Sequence, residues 1–434
     1  SRFRKNTVIP YNINSHLELK YIFMLEYIFL FIFFSWLIPF IYIKIKYPFW
    51  SHQPIFHSYD IFRYWVRHPY IIHQGGPIKT KYLSQNVTTK DFLDLTESEL
   101  GEIENIIQSH YIESDQIFTQ LSKSDVQEDF VGHSNASYVS FYYNKQLVYD
   151  KDADPLIQEK NTCLGVLTSR AIKIYYHYGT PHEQYVYYWD NLCTHRDFQD
   201  KFIGRNLIQN HEKHQRLHNK EISSSLFRRD VSLCDGVVPL IRFNVHTFPL
   251  EKTKRPPLGQ YTTIRIIGPN VTSLFDFLFN ITHSSEPTPF PLCIFPEVDV
   301  LDHLIQKNRI IVYALKHQSK TLGFYFFKDP KICYEFNEER NVLDLIGSVF
   351  LRPFDKNNES IFFGGLLHAI YHIQEDAKVR YKLLSFYQLT HNSQLIQRWR
   401  WKYTPLSITQ SAYYLYNAVF PNMPYDENKC LVLL

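Results

Sequence analysis

Across residues 27–43 the chain carries one polar residue, Ser35, and one strong helix breaker, Pro39. With residues 21–25 and the lone charge of Glu26, the apolar run covers residues 21–43, 23 in all. About 20 apolar residues in a helix cross roughly 30 Å of hydrocarbon, and a single helix satisfies its own backbone there. A core helix of a soluble domain would show a polar stripe, and this run has almost none. A secretory signal would be shorter and end at a small-residue cleavage site. The run is therefore expected to anchor the chain in a membrane. Cations flank it on both sides (Arg2, Arg4, Lys5 and Lys20 before; Lys44, Lys46, Arg63 and Arg67 after), so charge does not decide the orientation.

The rest of the 434 residues is long enough for two domains. Net charge is +3 and the basic residues are dispersed, which argues against a nucleic-acid partner. Six cysteines lie far apart without a C-x-x-C pair, the pattern of free thiols in a reducing compartment. Five Asn-x-Ser/Thr sequons (Asn86, Asn135, Asn270, Asn280, Asn358) are what an Asn- and Ser-rich chain carries by chance, and they are expected to be unused.

Hydrophobic periodicity predicts a helix over 97–110, with Leu100, Ile103, Ile106 and Ile107 on one face and a capping box from Thr96 to Glu99. Strands are expected over 138–143, 163–176 and 184–189, then a helix over 205–221 and a strand over 236–243. The second half repeats that order: helix 299–308, strands 309–315, 321–327 and 342–351, helix 361–376, strands 382–387 and 413–417. Two α+β units of similar element order imply an internal duplication. The expected division is a tail and anchor over 1–46, a first unit over 47–265 and a second over 266–434.

Residues 187–208, YYWDNLCTHRDFQDKFIGRNLI, read as a strand, a polar turn ending in Gly204 and a helix opening. Such a junction aims backbone N–H groups and a helix dipole at one spot, which suits a phosphate or pyrophosphate. Two other clusters carry little. His211, His214 and His218 have helical spacing but read as a polar helix face rather than a zinc site. Cys193 and His195 share a strand face without an assured hydrogen bond, so they are not expected to form a nucleophile pair.

Four further segments join the 187–208 stretch in order: Tyr47-Pro-Phe-Trp-Ser-His-Gln-Pro54; Gly76-Pro-Ile78; His110-Tyr-Ile-Glu-Ser-Asp115 with Phe118; and Tyr413-Tyr-Leu-Tyr-Asn417 before a terminal Cys-Leu-Val-Leu-Leu434. Together the set resembles the eukaryotic N-myristoyltransferases (glycylpeptide N-tetradecanoyltransferases), over roughly residues 47–434. The resemblance implies an α+β fold of two fused acetyltransferase-like units in a pseudo-symmetric saddle, here preceded by one transmembrane helix. It implies transfer of a myristoyl group from myristoyl-CoA to the N-terminal glycine amine of a protein, with no metal and no permanently bound cofactor. Pro48, Phe49 and Trp50, the strand Asn191, Leu192, Cys193 and Thr194, and the turn Asp200, Phe202, Ile203 and Gly204 would bind acyl-CoA. The amides of Asn191 and Leu192 would form the oxyanion hole, a site needing only backbone N–H groups. The carboxylate of Leu434 would be the base, and Tyr111, Glu113, Asp115 and Phe118 would hold the peptide. The expected enzyme is a monomer, membrane-anchored, with its body facing the cytoplasm.

Departures fall on the acceptor side. Cys234-Asp-Gly-Val-Val238 stands where the family has T-A-G-V-V, Ser407-Ile-Thr409 replaces G-D-G, and Glu113-Ser-Asp115 is less acidic than E-D-D-D. A thiol is a weaker hydrogen-bonding group than a hydroxyl. Two rivals therefore stand beside the main expectation: an acyl- or acetyl-CoA transferase with another acceptor, and a non-catalytic acyl-CoA-binding membrane scaffold.

Overall fold

The apolar run forms one helix, α1 (Ile13–Lys46), in a computed structural model that describes residues 13–77, 80–112, 114, 116–149, 157–230, 235–252, 254–286, 288–335, 339–376 and 381–434. Residues 21–46 of α1 are long and apolar enough to cross a membrane, and almost all of this stretch is exposed. The helix continues through Pro39. Its last turns dock on the body. Trp36 Nε1 donates to the Tyr59 carbonyl at 3.0 Å, and the Phe40 ring meets the Tyr59 ring edge-on at 5.0 Å. Asp235 accepts from Tyr47 Oη at 2.9 Å and pairs with Lys46 at 3.0 Å.

Three small strands and two helices come next: β1 (Tyr70–Ile71), β2 (Val87–Asp91), α2 (Glu97–His110), β3 (Ile117–Thr119) and α3 (Lys123–Glu128). α2 matches expectation: the Thr96–Glu99 capping box is formed, and Leu100, Ile103, Ile106 and Ile107 are its buried residues. The first repeat follows as β4 (Tyr138–Tyr149), β5 (Ile157–Tyr178), β6 (Thr180–Thr194), α4 (Ile203–His218) and β7 (Ser225–Asp230). Next come β8 (Ile241–Pro249), β9 (Tyr261–Arg265), α5 (Thr272–His283), β10 (Leu292–Phe295) and α6 (Val298–Gln306). The second repeat is β11 (Ile310–His317), β12 (Lys320–Lys328), β13 (Ile332–Glu335), β14 (Glu339–Phe350), α7 (Lys356–Asp376) and β15 (Tyr381–Tyr387). The described chain closes with α8 (Asn392–Trp399), β16 (Ser407–Tyr416), β17 (Ala418–Val419) and β18 (Cys430–Val432).

Among the described residues, 16 strands form one sheet whose main path is β18-β10-β5-β6-β7-β16-β8-β15-β14-β12-β11-β9. In each repeat three antiparallel strands lead through a helix to a strand that pairs in parallel with the third: β6 with β7 across α4, and β14 with β15 across α7. The strand that follows each repeat crosses to the other. β8 pairs with β15, and β16 pairs with β7. The expected strand over 236–243 instead begins at Ile241, because Gly236 sits at φ +83° in a turn and Pro239 cannot donate to a ladder.

The core is carried by β-branched and aromatic residues on both faces of this sheet. One glycine matters for the site. A Cβ at Gly165 would lie 3.0 Å from the Cys193 carbonyl and from side chains of Ile203 and Leu207. Glycine there lets the first turn of α4 settle onto β5 and β6.

Candidate active site

β6 and β7 hold a parallel register only from Tyr187 to Trp189, opposite Ser225 to Phe227. Beyond it they part: the end of β6 stays with β5, and the end of β7 stays with β16. The β5–β6 ladder also slips at this point. Val166 opposes Cys193 and Thr168 opposes Asp190, so Asn191 and Leu192 together face only Leu167. This is a β-bulge, and it leaves backbone groups outside the ladder. Asn191 takes φ +52°, a conformation that asparagine tolerates better than most residues. Its amide donates to Asp190 Oδ1 at 2.9 Å, and its side chain donates to Thr168 Oγ1 at 3.1 Å. Asp190 is steadied in turn by the buried Arg170 guanidinium at 3.1 Å.

One turn further along, Phe202 stands at φ +59° as the N-cap of α4 and gives no side-chain cap. The first helical bond runs from Asn206 N to the Phe202 carbonyl. Helix geometry therefore leaves the amides of Ile203, Gly204 and Arg205 without helical acceptors, as an anion site requires. The left-handed residue is thus Phe202, and Gly204 lies inside the first turn with ordinary φ.

A cavity of about 830 Å³ opens at the parting of β6 and β7. Asn191, Leu192, Trp50, Tyr111, Lys328 and Leu434 all line it. Trp50 stacks on Phe227 at 5.7 Å and forms part of the apolar wall. Leu434 arrives through β18, which lies parallel to β10, and Leu433 N donates to the Ile294 carbonyl at 2.8 Å. Lys328 Nζ donates to the Leu434 oxygen at 2.9 Å. Burial, with Arg170 and Arg309 near, pulls the Lys328 pKa below the usual lysine value against the pull of Asp129 and Asp190.

Beside Lys328, whose register partner across β12 and β14 is Asp344, runs an acid–phenol–guanidinium chain. Tyr387 Oη donates to Asp344 at 2.9 Å and accepts from Arg228 Nη1 at 2.6 Å. Arg228 also pairs with Asp230 at 3.0 Å. Burial pushes the Asp344 carboxyl up to about 6, with Tyr387 and Arg228 opposing the rise.

Other expected residues fall as follows. Phe49 is a core residue, 2% exposed, packed against Trp50 and Tyr82, while Pro48 is at the surface. Cys193 is buried, its thiol donating to the Ile106 carbonyl and pushed up to about 12 by burial. Thr194 and Ile203 sit where β6 meets α4, and Ile203 is fully buried. In β3, Ile117 and Thr119 line the cavity, and Phe118 between them is not among the lining residues. Glu113, Asp115, Ile78 and Cys234 lie outside the described residues, as does the side chain of Asp200. Asp235, which the sequence pointed to on the acceptor side, is turned toward α1. His211 is not on a polar face. It is fully buried between Ser140 Oγ at 2.7 Å and Ser169 Oγ at 2.8 Å, and burial pushes its pKa down to about 3. Among the described residues no cluster has the makings of a metal site.

Sequence reasoning passed over Lys328, Arg228, Asp344 and Tyr387. The available signal was a single charge inside an apolar strand, as in Phe326-Phe327-Lys328 and Leu343-Asp344-Leu345, since unpaired charges are rarely buried.

No protein-family model matches the chain, and no curated protein matches it. Solved structures do match in fold. The crystal structure of Saccharomyces cerevisiae N-myristoyltransferase with bound myristoyl-CoA superposes with a TM-score of 0.64 at 12% identity, covering 89% of this chain and 99% of that one. A second structure of the yeast enzyme with myristoyl-CoA gives 0.64 at 11% identity over 90% and 95%. A third, with myristoyl-CoA and inhibitors, gives 0.63 at 13% over 90% and 96%. At these identities the likeness establishes the fold.

Proposed function

We propose that the chain is a membrane-anchored N-acyltransferase that moves a myristoyl group from myristoyl-CoA to the N-terminal glycine amine of a protein. The observation that carries this reading is one cavity lined by both the bulged Leu192 and Leu434, in a fold shared with enzymes solved around myristoyl-CoA. On this reading residues 1–46 anchor, 47–265 bind the donor, and 266–434 hold the peptide and supply the terminal carboxylate. The free thiols among the described residues favour a cytoplasmic body.

The chemistry follows from the groups present. The amides of Ile203 to Arg205 and the α4 dipole receive the CoA phosphates. The thioester enters where β6 and β7 part, with its carbonyl oxygen at the Leu192 amide, within the bulge. The glycine nitrogen attacks the carbonyl carbon, the C–S bond breaks, and CoA leaves as thiolate. The amine proton passes to the Leu434 carboxylate, with Lys328 as its fixed counter-charge. Asn191 supplies a second amide only when Asp190 releases it. Tyr111 and Asp344 face the acceptor amine and peptide, and Glu113 and Asp115 add the acidic charge that holds the peptide.

A second reading, an acyl-CoA-binding scaffold without turnover, is favoured by two contacts: Asp190 on the Asn191 amide and Lys328 on the Leu434 oxygen. Incubating the chain with labelled myristoyl-CoA and a panel of Gly-initiated peptides separates the two. Label on peptide amines supports transfer; tight binding of myristoyl-CoA with no labelled peptide establishes the scaffold. Label on another class of amine would make it a transferase with a different acceptor.

A further inference from the structure

The segment after α1 holds three apolar side chains away from the protein on a stiff frame. Ile61, Phe62 and Trp65 are 53%, 85% and 82% exposed. They belong to a 3-10 turn, Ile61–Trp65, whose other residues are tied down. Arg63 donates to the Ile55 carbonyl at 2.7 Å and pairs with Asp60 at 3.2 Å. The Tyr64 ring lies on the buried Phe56, and Val66 packs on the main core. A rigid turn that presents large apolar groups to water costs free energy unless something covers them.

The placement of α1 says what covers them. The apolar run begins after Lys20. About 20 residues at about 1.5 Å each are needed for a hydrocarbon layer of about 30 Å, and counting from Tyr21 they reach Phe40. Phe40 is the residue whose ring touches Tyr59, one residue before Asp60 and the exposed turn. A bilayer spanned by α1 must therefore come down to the level of Tyr59. The body has no room to stand off from it. Tryptophan and tyrosine settle at this depth, and Arg67 beside the turn adds exposed positive charge toward anionic headgroups.

We propose that the Ile61–Trp65 turn is a second membrane contact, inserted at the headgroup–acyl boundary beside α1, so that the body is held in one fixed pose on the lipid surface. The proposal rests on the reading of α1 as a membrane anchor. It concerns the body, and α1 alone would not require it.

The test uses the full chain in vesicles of phosphatidylcholine and phosphatidylserine carrying a quencher either near the headgroup or at the chain end. Trp65→Phe and Trp36→Phe variants identify whose emission is quenched. The expected result is a Trp65 share quenched severalfold more by the shallow than by the deep quencher, and absent in W65F. A chain that resists alkaline extraction and loses Trp36 emission, but whose quenching W65F leaves unchanged, overturns the second contact and keeps the anchor. Quenching of neither residue, with release at alkaline pH, overturns both. As a second arm, Phe62→Ser with Trp65→Ser should expose the 61–65 backbone to faster hydrogen exchange only when vesicles are present; equal exchange with and without vesicles in both proteins overturns the contact.

Discussion

Replacing Asp344 with asparagine should make the protein more stable at neutral pH, although it removes a charge from an ion network. Asp344 is 5% exposed and its carboxyl is pushed from 3.8 up to about 6 by burial. The folded-state pKa lies above the unfolded value, so the fold disfavours the ionised form. Below about pH 4 the group is neutral in both states and costs nothing; above about pH 6 it is ionised in both and the full cost applies. At 1.36 kcal/mol per unit, a rise of roughly two units costs about 3 kcal/mol. Asparagine keeps an oxygen for the Tyr387 hydroxyl, and the rise is already net of the attraction to Arg228; the new buried amide N–H groups offset part of the gain, so about 1–3 kcal/mol is expected at pH 7.5. Thermal unfolding of wild type and D344N in detergent from pH 4 to 8 reads this directly. The two curves should meet near pH 4 and separate by a few degrees above pH 6. A variant less stable than wild type at pH 7.5, or an offset that ignores pH, would refute the reasoning and make the Arg228–Tyr387–Asp344 chain a net stabiliser. A carboxyl kept where it weakens the fold is the pattern of a working site. D344N is accordingly expected to lower peptide transfer while leaving acyl-CoA binding intact.

Lys328→Met removes the donor 2.9 Å from the Leu434 oxygen; a charged hydrogen bond of about 1.5–3 kcal/mol corresponds to about 1–2 pH units, so the acid limb of kcat/KM should move up by that much. An unmoved limb would free Lys328 from any part in the base. One residue added after Leu434 should cut transfer about a hundredfold or more with myristoyl-CoA affinity kept, measured by labelled transfer beside calorimetry; full activity would remove the terminal carboxylate from the mechanism. Gly236→Ala puts a Cβ 2.2 Å from Ile43 Cδ1 at a φ of +83°, so α1 should lift from the body and proteolysis between residues 44 and 52 should quicken; an unchanged digestion pattern argues against tight docking. Cys193, with its buried thiol at about 12, should resist alkylation at pH 8 in the native chain, and rapid labelling would contradict the packing seen around it.

Legibility in the sequence tracked the regularity of the physical signal. The α2 boundaries and its four buried residues followed from period and capping, because both are local. The repeated strands were found where aromatic and β-branched residues run together, yet β5 was drawn short at both ends and β14 short at its start. β7 was missed. Its sequence, Ser-Leu-Phe-Arg-Arg-Asp, looks like a surface loop until Arg228 is seen reaching Tyr387 across the cavity. The bulge at Asn191 was equally invisible, since it depends on the register of β5 against β6. The buried His211 shows the same limit: spacing placed it on a helix, and only the opposing serines decide which way that helix faces.

The crossing of β8 and β16 between repeats bears on how the chain is made. The end of β7 at Asp230 and the end of β16 at Tyr416 are 186 residues apart (416 − 230). At about 5–20 residues per second of synthesis, the first repeat waits about 10–40 s with that edge uncovered. During that interval α1 is already available for insertion, and an unpaired edge invites wrong partners. Neither half is a unit that the ribosome can finish and set aside. Expressed alone, residues 47–265 should be caught by chaperones or lost to aggregation, and the two halves should become soluble only when made together.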